Sequence, residues 1–292
     1  MRIVIAIGGN ALLKKGEEQT AATLKRNCEI AAKNIALLAL EHEIIIVHGN
    51  GPQVGMLALQ SDYPFDILDA ESQGMIGYLL QQSLDNALKN KKAISVLTQV
   101  AVDVEDPAFK KPTKPIGPYY SETEKIALQQ QHDWQFVKRG QEFRRVVASP
   151  SPREIVELNA IKLLAQSDHI VIAAGGGGIP CIRTDKGLMG VEAVIDKDLS
   201  ATRLALDLQA DRLIILTDVE GVYRGWGSAT QTLMRQANPS ELMAHTYESG
   251  SMGPKIQAAC QFVTASGRQA IIGHLEKLPA IMDNRCGTVI HL

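Results

Sequence analysis

The chain has no excess of charge of one sign, because its 292 residues include 30 Lys and Arg against 32 Asp and Glu, a formal net charge of −2. Neutralising a nucleic-acid backbone or a membrane surface takes a basic stripe or arm, and no segment supplies one. No apolar run approaches the roughly 18 residues that span a bilayer. The first residues also lack a signal-peptide layout. We therefore expect a soluble cytoplasmic protein without nucleic-acid or membrane partners.

Aromatic residues are scarce, at 4%, whereas glycine reaches 24 residues. An all-β sandwich normally shows the reverse, so the composition argues against that class. A disordered chain is excluded as well, because 45% of the residues are hydrophobic. The cysteines lie far apart, without metal-ligand or redox spacing, at Cys28, Cys181, Cys260 and Cys286. We expect spectator thiols in a reducing compartment.

Short β-branched runs alternate with longer helical patterns. Strands are predicted at 2–7, 43–47, 94–100, 145–148, 169–174, 212–217, 269–272 and 288–292. Helices are predicted at 20–40, 71–88, 123–131, 153–166, 199–208 and 254–265. Several strands are apolar on consecutive residues, which is typical of strands covered on both faces. The alternation predicts an α/β fold with a mainly parallel sheet between helices, and a ligand site beyond the carboxyl ends of its strands.

Residues 103–144 break this alternation. The stretch is polar and contains four prolines within twelve residues, followed by an amphipathic helix and a hairpin-like segment at 134–143. It is too long and too ordered in composition for a plain loop. We interpret it as an inserted subdomain.

Glycine clusters directly follow three predicted strands, at Gly8-Gly9-Asn10, Gly49-Asn50-Gly51 and Gly175-Gly176-Gly177-Gly178. Ordering a glycine costs about 0.5–1 kcal/mol relative to alanine, so four in a row need a positional reason. Backbone amides that point at a phosphate supply one, and tight strand-to-helix turns are the alternative for any single loop. The loops match neither the Walker A nor the dinucleotide fingerprint, and the protein-kinase motifs are absent. A phosphate site here is therefore of another type.

Lys255 follows Pro254, the predicted first residue of a helix. A cation there opposes the helix dipole by roughly 0.3–1 kcal/mol. An anionic ligand shared by Lys255 and the helix amides explains this placement, and a solvated, merely tolerated lysine is the alternative.

Two further lysines have restraining neighbours. Lys197 lies between Asp196 and Asp198, of which Asp198 can cap the following helix and Asp196 can complement its dipole. Such an aspartate can also hold a lysine against a transferring phosphoryl group. Lys114 lies between two prolines that restrict the backbone, although a rigid surface linker is the favoured interpretation of this segment by itself.

The remaining polar candidates are less specific. Asp218 ends a predicted strand, where it caps a turn or contacts a nucleotide. His48 adjoins the second glycine loop and is either a base or, more commonly, a buried packing residue. Glycine nests and lysines without an evident base suit phosphoryl transfer to a carboxylate, which is ionised at neutral pH because its pKa is about 4. Such a reaction needs in-line positioning and charge neutralisation but no proton removal.

The chain resembles the carbamate kinases, a branch of the amino acid kinase family, along nearly its whole length. The most specific motifs are Pro112-Thr-Lys-Pro-Ile-Gly-Pro118 and Gly250-Ser-Met-Gly-Pro-Lys255. Further matching segments are 6–11, 48–55, 71–78, 106–109, 144–150, 175–180 and 190–198. The chain departs from the family at 140–145, where many members have a Gly-x-Gly-Trp-Arg-like run, and in the short loop 61–66.

The resemblance implies an open αβα three-layer sandwich with a small protruding subdomain at about 103–145. Residues 1–165 would form the carbamate and carbamoyl phosphate half, and residues 166–292 the nucleotide half. The implied activity is reversible phosphoryl transfer from ATP to carbamate with Mg²⁺ held mainly by the nucleotide phosphates, usually run toward ATP in arginine or other nitrogen catabolism. A homodimer is also implied. A kinase for another small carboxylate and a non-catalytic nucleotide or carbamoyl phosphate sensor are the alternatives.

The resemblance also assigns roles to residues. Lys197 and Lys255 would neutralise the transferring phosphoryl group, Asp198 would organise them, and Lys114 would reach the carbamate side from the subdomain. The carbamoyl phosphate end would be bound by Gly8, Gly9, Asn10, Gly49, Asn50 and Gly51. The phosphates and nucleotide would be bound by Gly175, Gly176, Gly177, Gly178, Thr217, Asp218, Tyr223, Met252 and Gly253.

Overall fold

The computed structural model describes residues 1–13, 16–245, 247 and 252–292, without the side chain of Asn10. Gly250 and Ser251 of the predicted lysine motif therefore lie outside the described residues. The central sheet has eight strands, in spatial order β15 (Gln236–Ala237), β17 (Thr288–Ile290), β16 (Gln269–His274), β12 (Arg212–Thr217), β1 (Arg2–Ile7), β2 (Glu43–His48), β9 (Ile170–Ile172) and β3 (Ala93–Ser95). All neighbours are parallel except β16 and β17, so the predicted mainly parallel sheet is confirmed.

Three smaller sheets complete the described strands. One has the order β11 (Gly187–Gly190), β10 (Ile179–Thr184), β4 (Gln99–Val102) and β8 (Pro152–Ile155), another pairs β13 (Tyr223–Arg224) with β14 (Thr232–Leu233), and the third has the order β5 (Lys114–Tyr120), β7 (Glu142–Val147) and β6 (Gln135–Arg139). The described helices are α1 (Gly9–Leu12), α2 (Ala21–Ala39), α3 (Gly51–Gln60), α4 (Phe65–Ala87), α5 (Glu122–Gln131), α6 (Leu158–Gln166), α7 (Lys197–Asp207), α8 (Pro239–Met243), α9 (Met252–Ser266) and α10 (Leu278–Met282).

The central strands are buried on both faces. Successive residues of a strand point to opposite faces, so Ile3 and Ile5 of β1 pack in one apolar cluster with α2 and α4, while Val4 and Ala6 pack in the other with α7 and α9. This arrangement explains the consecutive apolar residues of the strand sequences. The three-layer sandwich that the resemblance implied is therefore confirmed.

Several predicted boundaries were wrong. The predicted strand 94–100 is two strands, β3 and β4, which belong to different sheets. The predicted helix 153–166 begins only at Leu158, because residues 152–155 form β8 and pair with β4. Helix α7 begins at Lys197 rather than Leu199, and α9 begins at Met252 rather than Pro254. No described helix is long and apolar enough to cross a membrane.

The predicted insertion contains a folded unit, formed by β5, α5, β6 and β7. A capping box between Ser121 and Glu124 begins α5, and β6 and β7 form the predicted hairpin. The Arg145 guanidinium carbon lies 3.8 Å from the Trp134 ring centroid and 4.9 Å from that of Phe65, the first residue of α4. The two segments that depart from the family pattern therefore meet where this unit contacts the central domain. The division into halves 1–165 and 166–292 stays a prediction.

Candidate active site

The ends of β1, β2 and β12 lie side by side. The amide of Gly49 donates to the carbonyl of Ile7 at 2.9 Å, and the amide of Gly8 donates to the carbonyl of Leu216 at 3.2 Å. A Cβ on Gly49 would lie 2.9 Å from the Gly9 nitrogen, a distance that real side chains do not show. The first two glycine loops therefore pack backbone to backbone at the carboxyl edge of the sheet. Thr217, which ends β12, lies at the same edge.

The third glycine cluster forms a 3₁₀ turn beside the second loop. Gly176, Gly177 and Gly178 have φ values of 71°, 112° and 95°, which favour glycine. A Cβ on Gly176 would lie 2.2 Å from the Asn50 amide nitrogen, and one on Gly177 would lie 2.3 Å from the Ile195 carbonyl oxygen. These glycines are thus required both by backbone conformation and by close approach. The three predicted loops meet at one edge, as expected.

A buried carboxylate holds two lysines beside these loops. Asp198 Oδ1 accepts from Lys197 Nζ at 2.5 Å, and Oδ2 accepts from Lys255 Nζ at 3.0 Å. The Asp198 side chain is only 3% exposed. Lys197 also approaches the second glycine loop, since its Cδ lies 3.1 Å from the position of a Cβ on Gly49. The structure therefore brings together Lys197, Asp198 and Lys255, as predicted.

The charges of this cluster shift one another's pKa values. Burial alone would raise the pKa of Asp198, but the two ammonium groups outweigh it and hold that pKa below its usual range. Burial lowers the pKa of Lys197 to about 8, although Asp198 opposes the shift. For Lys255 burial acts in the same direction, but Asp198 outweighs it and the pKa is raised. Lys197 is consequently the lysine whose proton is held less firmly.

Lys114 reaches the same region from β5, in the inserted unit. Its ammonium forms an ion pair with Asp196, whose other carboxylate oxygen accepts from the Asp198 amide at 2.9 Å and caps α7. The N-cap is therefore Asp196, and the prediction of Asp198 as the cap was wrong. Burial would raise the pKa of Asp196, but Lys114 outweighs it, and the pKa is lowered. The sequence prediction missed Asp196 as a site residue, although its position beside Lys197 could have indicated it.

The second glycine loop is held by polar residues of α4 that the sequence prediction also missed. The Asn50 amide nitrogen donates to Asp69 Oδ1 and to Ser72 Oγ, each at 2.8 Å. Gln73 exchanges two hydrogen bonds with the backbone of Thr98, whose hydroxyl accepts from the Ala174 amide just before the glycine turn at 2.9 Å. The signal available in the sequence is a cluster of polar residues on the face of α4 that is otherwise apolar.

His48 packs beneath the glycine turn. It is 1% exposed, and a Cβ on Gly175 would lie 2.2 Å from its Nε2. Burial lowers the pKa of His48 to about 4. Its Nδ1 lies 3.2 Å from the Gly49 carbonyl, which can only accept, so Nδ1 carries the proton. These contacts favour the packing interpretation over that of a base.

The residues predicted to contact nucleotide lie at the end of β12, in β13 and at the start of α9. The Thr217 hydroxyl donates to Asp218 Oδ1 at 3.0 Å. The Tyr223 ring centroid lies 5.2 Å from that of the exposed Trp226. Met252 and Gly253 form the first turn of α9, just before Lys255. Their contact with a nucleotide stays a prediction.

In the part of the chain that the structure describes, no group of three or more His, Cys, Asp and Glu side chains can hold a metal ion. The carboxylates of the site, Asp196 and Asp198, each bind lysine.

The chain is similar to known proteins over nearly its whole length. The amino acid kinase family model matches residues 1–274. The chain is 50% identical to the carbamate kinase of Rhizobium meliloti (strain 1021), over 99% of this chain and 93% of that protein. It is 47% identical to the carbamate kinase of Escherichia coli (strain K12), over 99% of each. The solved structure of carbamate kinase from Giardia lamblia bound to AMP-PNP matches with a TM-score of 0.90 and 38% identity, over 99% of this chain and 98% of that chain.

Proposed function

Because the chain belongs to the amino acid kinase family, and within it to the carbamate kinases, we propose that it catalyses reversible phosphoryl transfer between ATP and carbamate. The products in one direction are ADP and carbamoyl phosphate. We further propose that the chain works mainly toward ATP, in the breakdown of arginine or another nitrogen compound. A cytoplasmic homodimer is also part of the proposal.

The observation that carries the proposal is the cluster of Lys197, Asp198 and Lys255 at the glycine loops. One carboxylate faces two ammonium groups, and the Lys114–Asp196 pair adds no net charge, so one positive charge is left uncompensated. A bound phosphoryl group would compensate that charge. It would also raise the pKa of Lys197, which burial now lowers. The site is therefore electrostatically suited to an anionic group in transfer.

The proposed reaction needs no general base. A carbamate oxygen, already ionised, attacks the terminal phosphorus of ATP in line; one oxygen–phosphorus bond forms and the bond to the ADP oxygen breaks. Lys197 and Lys255 neutralise charge on the transferring oxygens, and Asp198 fixes the positions of both ammonium groups. Lys114 contacts the carbamate end. This mechanism accounts for a buried, neutral His48 that takes no part.

The glycine loops would supply backbone amides to the anionic groups. We assign Gly8, Gly9, Asn10, Gly49, Asn50 and Gly51 to the carbamoyl phosphate end and Gly175, Gly176, Gly177 and Gly178 to the region of the transferring group. The nucleotide would lie near Thr217, Asp218, Tyr223, Met252 and Gly253. A kinase that uses ATP implies a divalent metal, and we propose Mg²⁺, which enters with the nucleotide phosphates.

ATP formation from ADP and carbamoyl phosphate in the presence of Mg²⁺ tests the proposal. The account predicts turnover with carbamoyl phosphate, and, in the other direction, phosphorylation of carbamate but not of longer carboxylates such as amino acids. Binding of both substrates without turnover would contradict it and would favour a sensor instead. Turnover of an amino acid in preference to carbamate would assign the chain to another kinase of the family.

A further inference from the structure

Asn50 lies in a buried polar cluster with two residues of α4. Its side chain is 3% exposed, and its amide nitrogen donates to Asp69 Oδ1 and to Ser72 Oγ, each at 2.8 Å. Asp69 and Ser72 are themselves fully buried. Two buried polar side chains of α4 thus hold the side chain of Asn50, which belongs to the second glycine loop.

The hydroxyl of Ser72 fixes which end of the Asn50 amide faces this cluster. Ser72 Oγ donates to the main-chain carbonyl of Asp69 at 2.9 Å. A hydroxyl has one hydrogen, so Ser72 can only accept from Asn50, and the amide nitrogen must point toward it. Both amide hydrogens of Asn50 are then used, one on Ser72 and one on Asp69. A turned amide would place its oxygen against the oxygen of Ser72, whose only hydrogen is already donated.

The Asn50 oxygen is consequently left as an acceptor. Among the described residues no group donates a hydrogen bond to Asn50 Oδ1. This oxygen is also not among the fully buried side-chain atoms that lack a partner. The whole amide lies against the glycine turn, since a Cβ on Gly176 would lie 2.2 Å from Nδ2 and 2.9 Å from Oδ1. The side chain of Lys197 approaches the neighbouring Gly49, since its Cδ lies 3.1 Å from the position of a Cβ on that glycine. The free acceptor therefore lies next to the proposed phosphoryl-transfer site.

We propose that Asp69 and Ser72 are positioning residues that turn the Asn50 amide oxygen toward the amino group of carbamate or carbamoyl phosphate and so select for it. This inference rests on the proposed function. The amino group is a hydrogen-bond donor, whereas the methyl group at the same position of acetyl phosphate is not. A fixed acceptor receives a hydrogen bond from the amino group and stays unpaired opposite the methyl group. Sites of this kind discriminate strongly between two such ligands. A turned amide would instead present its nitrogen to the amino group.

Asp69 can hold the Asn50 amide in position without carrying a negative charge. Burial raises its pKa well above the usual value, and its Oδ2 is sealed without a hydrogen-bond partner in the described part of the chain. A protonated carboxyl keeps Oδ1 as an acceptor for Asn50. An asparagine at this position has the same shape and the same acceptor, so holding the amide requires the acceptor and not a negative charge.

The test compares ATP formation from ADP with carbamoyl phosphate and with acetyl phosphate as donors, using the full chain. In Asp69→Ala we expect the ratio of the two kcat/KM values, carbamoyl phosphate over acetyl phosphate, to fall by about tenfold or more. The loss should lie mainly in the KM for carbamoyl phosphate, with the KM for ADP unchanged. Asp69→Asn should keep the ratio within about threefold of the unsubstituted chain, because the acceptor remains.

A serine pair provides the matched control. Ser72 and Ser83 both lie on α4 and both donate to a main-chain carbonyl of the helix, but only Ser72 contacts Asn50. Ser72→Ala should lower the donor ratio and Ser83→Ala should not. If Asp69→Ala fails to fold, this pair decides the question.

An unchanged ratio in Ser72→Ala, or an equal loss in Asp69→Ala and Asp69→Asn, would overturn the inference. Lower melting temperature without a change in ratio would likewise show a structural role only. No turnover of carbamoyl phosphate by the unsubstituted chain would instead refute the proposed function, and the inference with it. A fall in the ratio in Asp69→Ala and Ser72→Ala, but not in Asp69→Asn or Ser83→Ala, supports the positioning role of Asp69 and Ser72.

Discussion

Asp198 is the residue on which the charge balance of the site depends. It is nearly fully buried, and its two oxygens hold Lys197 and Lys255 at 2.5 and 3.0 Å. A buried carboxylate with two ammonium partners stays ionised, which explains why its pKa is held down although burial opposes this. The pKa of Lys197, by contrast, is lowered both by burial and by the neighbouring Lys255. The two lysines are therefore not equivalent.

This difference predicts how activity depends on pH. The pKa of Lys197 is lowered by burial to about 8, so the free protein loses this positive charge as the pH rises through that value. Since kcat/KM reports the free enzyme, kcat/KM for carbamoyl phosphate should decline above about pH 8. Lys197→Arg keeps its charge, because an arginine pKa exceeds about 12, and should shift the decline upward by more than about one pH unit.

Steady-state rates between about pH 6 and 10 measure this dependence. Lys255 is not expected to produce the decline, because Asp198 outweighs burial and raises its pKa. A constant kcat/KM up to the alkaline end, or the same midpoint in Lys197→Arg, would contradict the role given to the proton of Lys197.

At the scale of elements, the glycine turn after β9 and the inserted unit determine the shape of the site. The turn contacts the second glycine loop on one side and the segment before α7 on the other. The inserted unit contributes Lys114 from the first residue of β5. The two elements restrict the site in different ways, one by close packing and the other by an ion pair across to α7.

Two glycine substitutions distinguish the effect of close packing in the glycine turn on stability from the effect of helix propensity. Gly177→Ala should destabilise the fold by more than about 2 kcal/mol, because φ is 112° and the new Cβ would lie 2.3 Å from the Ile195 carbonyl oxygen. Gly74→Ala, on an exposed position of α4 with nothing near its Cβ, should stabilise the fold by about 0.5–1 kcal/mol. Urea unfolding measures both. Similar values for the two variants would show that the packing of the turn has been misjudged.

The inserted unit should act on one substrate more than on the other. Lys114→Ala is expected to raise the KM for carbamoyl phosphate on the order of tenfold, with a smaller change for ADP, because it removes a cation from the carbamate side. Lys92→Ala, which removes an exposed lysine outside the inserted unit, is the control. Equal changes in both KM values would place Lys114 elsewhere in the mechanism.

For the whole molecule, the sequence predicted the layered architecture well because the hydrophobic pattern has a direct structural meaning. Consecutive apolar residues in 2–7 and 212–217 indicated strands buried on both faces, and both strands have these bounds. The wrong boundaries occur where tertiary pairing overrides local pattern. The pattern of residues 152–155 predicted a helix, but these residues form a strand that pairs with β4 in a separate sheet.

The lysines and glycines of the site could be predicted from the sequence. The residues that hold them in position were harder to predict. The lysines and glycines were visible because their placement conflicts with local electrostatics or chain entropy. Asp69 was missed, because a carboxylate in a helix is usually solvated, whereas the tertiary structure shows that this one is buried against Asn50. Asp196 was identified as a dipole partner, but its ion pair with Lys114 joins positions 82 residues apart.

The most direct test of the central claim is the rate of ATP formation from ADP and carbamoyl phosphate with Mg²⁺, in the unsubstituted chain and in Lys255→Ala. The account predicts clear turnover that falls on the order of 10²–10³-fold in the variant, because one of the two cations at the transferring group is lost. Circular dichroism of both proteins should be the same. Absence of turnover in the unsubstituted chain, or a near-normal rate in a folded Lys255→Ala, would contradict it.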